Sequence, residues 1–187
     1  MNKIAPFSFL MKIWLLVGIV SLIILDLWTK ELAFTQVGLY QEKNIFGEWF
    51  SVYCITNPGG VWGAGAESNI TGFLTLIRLF AVIFLVWFIN RQHSENKSGI
   101  ATLALLLAGA VGNLYDNLSN YMPWPGNGEV RDFLKFQVQS PSFIPDKYWP
   151  FDPFPIFNVA DSCISIGFIL LITGLVKVGD SFALKED

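Results

Sequence analysis

Residues 156–174 read IFNVADSCISIGFILLITG. Without Asp161 this is an ordinary apolar membrane helix, and the reading of the whole chain turns on why that acid is there. A carboxylate in hydrocarbon costs about 2.5–3.5 kcal/mol, so it needs a partner or a task. The composition agrees that lipid is the solvent. Of the 187 residues 53% are hydrophobic and 14% charged, whereas soluble domains carry about 25% charge. The net charge of −3 offers no basic face to nucleic acid. Cys54 and Cys163 are the only cysteines and His93 the only histidine. Those numbers do not support a disulfide framework, a metal site or a Ser/His/Asp triad, so neither metal nor cofactor is expected.

Outward from that stretch, four apolar segments approach the about 20 residues that a membrane helix needs. They lie at about 7–25, 70–89, 99–115 and 156–176. Lys12 interrupts the first and can snorkel to the interface. Arg78 lies within the second and either snorkels or pairs inside the bundle. DLWTKE (26–31) follows the first segment where a cleaved signal peptide would show small residues, so it reads as a retained span. Lys3, Lys12, Arg91, Lys97, Lys177 and Lys185 crowd the short segments on one side. That density places both termini in the cytoplasm and the two long loops outside.

The expected fold is an all-α integral membrane protein: a four-transmembrane-helix bundle with a small extracytoplasmic β-sheet and a long extracytoplasmic loop. It forms one domain over 1–187. EWFSVYCITN (48–57) suits a strand and NPGG (57–60) a turn. The loop at about 119–155 holds MPWPGNG and PDKYWPFDPFP, whose prolines forbid regular helix or central strand. With Trp62, its aromatics would make a lid over a cleft.

On this topology the polar residues converge on one leaflet. Asp26 lies where the first span exits, Asn113 and Asp116 where the third exits, Asp161 where the fourth begins, and Asp132 in the loop between. Each has a bland explanation alone. Asp26 and Lys30, four apart, make a helix-surface ion pair. Asp161 helps to cap a helix. Asp132 is a solvated loop acid, and Asn57 and Asn158 are turn residues. Together they suggest two carboxylates sharing a proton, one accepting from water while the other donates to a carbonyl. A small transporter is the rival, but it would hold its acids near the bilayer midplane.

DLWTK (26–30), NPGGVWG (57–63), GAVGNLYDN (109–117), VRDF (130–133) and FNVAD (157–161) occur in this order. They resemble the motifs of the lipoprotein signal peptidase (signal peptidase II) family. That resemblance implies an aspartyl endopeptidase of the bacterial inner membrane, working near the outer leaflet. It would cut diacylglyceryl prolipoproteins just before the lipidated cysteine, as a monomer in membrane lipid. It also implies that Asp132 and Asp161 are the catalytic pair. Asp26, Lys30, Asn57, Gly59, Asn113, Asp116, Asn158 and Ala160 would support them or bind substrate. Gly59 permits a close backbone approach, Ala160 leaves space beside Asp161, and the asparagines orient a carboxylate or carbonyl. The chain departs from the family at Asn117, where an arginine is usual. Arg131 is placed to replace that charge. The stretches on either side of Asp132 are also longer than the family's.

Overall fold

The computed structural model describes residues 7–58, 70–137, 140, 143 and 154–179. In chain order the elements are α1 (Phe9–Gln36), β1 (Glu42–Phe46), β2 (Phe50–Asn57), α2 (Ile70–Asn90), α3 (Lys97–Leu118), β3 (Val130–Phe136) and α4 (Val159–Ile172). Gly59, Trp62 and most of the loop after residue 137 lie outside the described residues.

Helix α1 starts at Ser8, whose hydroxyl accepts from the Met11 N–H, and continues well past residue 25. Its 28 residues measure about 42 Å, more than the about 30 Å of hydrocarbon. The helix therefore runs on past Asp26, the residue at which the first span is expected to exit. The polar half stays helical because Asp26, Lys30 and Ala33 share one face, and that face is the part of α1 that is buried. Helix α3 sits centrally, packing on α1, α2 and α4. It approaches α4 closely because small residues line the seam. A Cβ on Gly112 would lie 2.6 Å from Asp26 Oδ2 and 3.2 Å from Ala160 Cβ. At the other end Ile89, Ile100, Leu103 and Leu107 form an apolar core.

Helices α1, α2 and α3 are long and apolar enough to cross a membrane. Helix α4 is shorter than the expected 156–176, at 14 residues or about 21 Å. Two local events shorten it. Phe157 is held in extended pairing with β3. At the other end Gly174, at φ +70°, turns the chain so that its N–H reaches the Leu171 carbonyl.

The three strands form one antiparallel sheet in the order β1-β2-β3. The expected strand at 48–57 is β2. The expectation that prolines keep 119–155 irregular fails at β3. Prolines occur at 123, 125, 141 and beyond, and none lies between, so VRDFLKF keeps all its amide donors. Along its free edge β3 pairs with Phe157: Leu134 N–H donates to Phe157 O at 2.8 Å, and Phe157 N–H returns to Leu134 O at 3.1 Å. This bridge ties the sheet to the first turn of α4.

Candidate active site

The bridge between Leu134 and Phe157 brings VRDF beside FNVAD. Asn158, the next residue, is the N-cap of α4. Its side-chain oxygen accepts from the Asp161 N–H at 2.8 Å, and Asp161 Oδ2 accepts from the Asn158 N–H at 3.2 Å. This reciprocal capping box fixes the Asp161 rotamer. Asn158 Nδ2 donates to Asp132 Oδ1 at 2.7 Å and lies 3.2 Å from Asn113 Oδ1. Asn113 Nδ2 in turn donates to Asp161 Oδ1 at 2.7 Å. The two acids are thus joined through two amides. Asn57 Nδ2, from the end of β2, reaches Asp132 Oδ2 at 3.2 Å.

The two carboxyls differ in setting. Asp132 is 2% exposed, so it is not the solvated loop acid that its position alone suggests. Asp161 is only partly buried. Burial, and next the charge of Asp161, push the Asp132 carboxyl from its ordinary 3.8 up to about 7, against the pull of Asn57, Asn158 and Lys30. Asp132 can therefore hold a proton at neutral pH, while Asp161 stays within reach of water.

Behind this pair lies a second layer of buried charge. The Lys30 ammonium, fully buried, lies 2.7 Å from Asp26 Oδ2, 3.0 Å from Asp116 Oδ2 and 3.1 Å from Asn113 Oδ1. The pair Asp26–Lys30 is accordingly not a surface pair; it joins α1 to α3. Asp26 Oδ1 accepts the Ala160 N–H at 2.8 Å, which joins α1 to α4 as well. Asp116 Oδ1 takes Arg131 Nε at 3.0 Å and Nη2 at 2.9 Å, and Asp116 Oδ2 takes the Arg131 N–H at 3.1 Å. Arg131 Nη1 extends to Glu31 at 3.1 Å. Arg131 thus supplies a guanidinium to Asp116, as its position in the sequence suggests.

All the expected site residues except Gly59, which lies outside the described residues, meet here. Ala160 also packs against Gly112 and donates its N–H to Asp26. Sequence reasoning left open where Arg78 goes. Its Nη1 donates to Asn117 Oδ1, while Asn117 Nδ2 donates to Gly128 O at 2.8 Å. The available signal was an arginine deep in an apolar helix, which needs a partner. Among the described residues, no cluster of three or more His, Cys, Asp or Glu is placed to hold a metal ion.

The family model of signal peptidase (SPase) II matches residues 18–177. The chain is 30% identical to the lipoprotein signal peptidase of Staphylococcus haemolyticus over 89% of this chain and 92% of that protein. It is 31% identical to that of Symbiobacterium thermophilum, over 83% and 90% respectively. Two solved bacterial membrane enzyme structures, both obtained in meso, are each 28% identical to it. One superposes with a TM-score of 0.68 over 100% of this chain and 98% of the other. The second gives 0.70 over 94% and 99%.

Proposed function

The chain belongs to the signal peptidase II family and is a bacterial membrane peptidase, and from that premise we propose that Asp132 and Asp161 cleave signal peptides from diacylglyceryl prolipoproteins. The observation that carries the reading is the bridge Asp132–Asn158–Asn113–Asp161, which holds two acids of unlike burial in one network. The cut falls just before the lipidated cysteine. In this reading residues 1–187 form one monomeric domain, the four helices lie in the inner membrane, and both termini are cytoplasmic. The site then faces the outer leaflet, since it is built at the α1 and α3 ends that carry the long loops.

The pair works with one proton between them. Asp132, buried and able to keep that proton at neutral pH, donates it to the scissile carbonyl oxygen. Asp161 takes a proton from water as the water oxygen bonds to the carbonyl carbon. In the resulting diol Asp161 gives its proton to the leaving nitrogen, and the carbon–nitrogen bond breaks. Asp132 recovers its proton from the hydroxyl as the carboxylic acid forms. Asn158 and Asn113 donate to the carboxylates, and the Lys30 hub fixes the helix ends that carry them.

Separate Asp132→Asn and Asp161→Asn proteins are the test. Each is expected to fold and to leave a diacylated precursor uncut, while the wild type cuts it and spares the unlipidated precursor. Turnover at the wild-type rate by either variant overturns the assignment.

A further inference from the structure

Strand β3 carries Asp132 past a fault in the sheet. Val52 pairs with Leu134 and Ile55 with Asp132, so β2 has one residue more than β3 between those two pairs. This bulge lies directly beside the acid. At such a point the ladder alone does not hold the register, and a slip of one residue turns every side chain of a strand to the opposite face. Asp132 would then leave Asn158 and Asn57, its two amide donors. Behind the acid the register is pinned by the bridge from Leu134 to Phe157.

Ahead of it, the C-terminal end of α3 supplies a second pin at Gly128, four residues before Asp132. Gly128 is buried, although residues 125–127 before it are exposed. Both of its backbone groups are held by side chains. Its N–H donates to Ser119 Oγ at 2.9 Å, and its carbonyl accepts from Asn117 Nδ2 at 2.8 Å. The two side chains are themselves aimed. Ser119, the C-cap of α3, donates its hydroxyl to Asp116 O at 2.7 Å, which leaves an oxygen lone pair for Gly128. Arg78 has only donors, so its contact with Asn117 Oδ1 turns the amide nitrogen toward Gly128. Gly128 has φ +77°, and a Cβ there would strike the Asn120 side chain. Three residues on, the Arg131 N–H donates to Asp116 Oδ2 at 3.1 Å and the Arg131 carbonyl accepts from Asn158 Nδ2 at 3.3 Å. The clamp on Gly128 sets where the chain meets these two partners.

We propose that Asn117 and Ser119 are positioning residues of this reaction: acting through the backbone of Gly128, they fix the register of β3 so that Asp132 faces Asn158 and Asp161. This role rests on the assignment of Asp132 above. Asn117, at the position where the family resemblance calls for arginine, then has a task of its own in this chain.

The experiment measures kcat and KM on a diacylated precursor for purified Ser119→Ala, Asn117→Ala and the double variant, each below its unfolding midpoint. Leu103→Ala, in the apolar core, is the control for lost stability alone. Each single variant is expected to lower kcat about tenfold with KM within about twofold, since a small misplacement of a reacting group acts on the chemical step. The double variant should be within about twofold of the slower single, because either change already frees Gly128. Leu103→Ala should keep the wild-type kcat. A wild-type kcat in either single variant overturns the proposal, as does a loss carried by KM, an equal loss in Leu103→Ala, or a double variant whose losses multiply. Should one single variant fail to fold, the other decides by the same criteria; failure of both makes these residues structural and also overturns it. Asp132→Asn, run alongside, separates the two claims. If it is inactive while the clamp variants are unaltered, only the clamp falls; if it is active, the catalytic assignment itself falls.

Discussion

The two ends of helix α1 obey opposite rules. From Phe9 to Leu25 the helix turns large apolar side chains outward, with Phe9 78% and Trp14 73% exposed. From Asp26 to Ala33 it turns an acid and a lysine inward, at 1% and 0% exposure. Helix α3 repeats the contrast, with Ile100, Leu103 and Leu107 in an apolar core at one end and Asn113, Asp116 and Asn117 buried at the other. In lipid the apolar exterior costs nothing, so burial is free to serve polar groups. Those groups survive only because each is matched. Lys30 serves three oxygens, Arg131 braces Asp116, and the Ala160 N–H takes the remaining Asp26 oxygen. The apolar end tolerates loose partnership; the polar end does not.

That contrast can be broken most sharply at the pair itself. Asp161→Asn or Asp132→Asn should lower the cleavage rate by about a thousandfold or more with little change in thermal midpoint. A variant that loses stability but keeps its turnover would move these acids from chemistry to scaffolding. Next in size is Lys30→Met, which leaves Asp26 with a backbone N–H but no cation. It should cost about 3–5 kcal/mol, read as a lower unfolding midpoint in detergent. A change of comparable size at an apolar position, Leu103→Ala, would cost about 2–5 kcal/mol through a cavity, but without removing the pair's partners. Cleavage by the still-folded fraction of each protein tells the two ends apart. Gly112→Ala, which drives a methyl into Asp26 and Ala160, should cost about 1–3 kcal/mol.

Smaller effects sharpen the picture. Asp132 binds a proton more tightly folded, at about 7, than its ordinary 3.8. In that window the folded state holds a proton that the unfolded chain has released, so stability falls as pH rises from 3.8 toward about 7. Asp132→Asn should flatten that slope in unfolding measured across the window. Wild-type activity should decline above about 7, as the pair loses its remaining proton. Smallest of all is Lys135→Ala, which removes a partly exposed pair with Glu42 at 2.8 Å. Its stability change should stay within about 1 kcal/mol and its turnover should match the wild type.

Much of this was legible beforehand because its signals are local. Apolar length marked α2 and α3, and an acid inside an apolar run marked Asp161. The aromatic, β-branched run marked β2. What each residue taken alone could not show was non-local. Asp26 and Lys30 look like a surface pair because i,i+4 spacing says nothing about a third helix bringing Asp116. Asp132 looks like a wet loop acid because strand β3 exists only when β2 and Phe157 pair with its two edges. Helix α4 looks longer than it is because hydropathy does not report that Phe157 has joined the sheet.

The sequence by itself determined the solvent, the helices and the identity of the polar residues, since hydropathy and motif order are properties of contiguous letters. Only the tertiary structure decided which acid is buried, which cation meets which carboxylate, and that Asn117 receives Arg78. Those outcomes depend on distances between residues tens of positions apart, which the chain settles only when α3, α4 and β3 close around the same few ångströms.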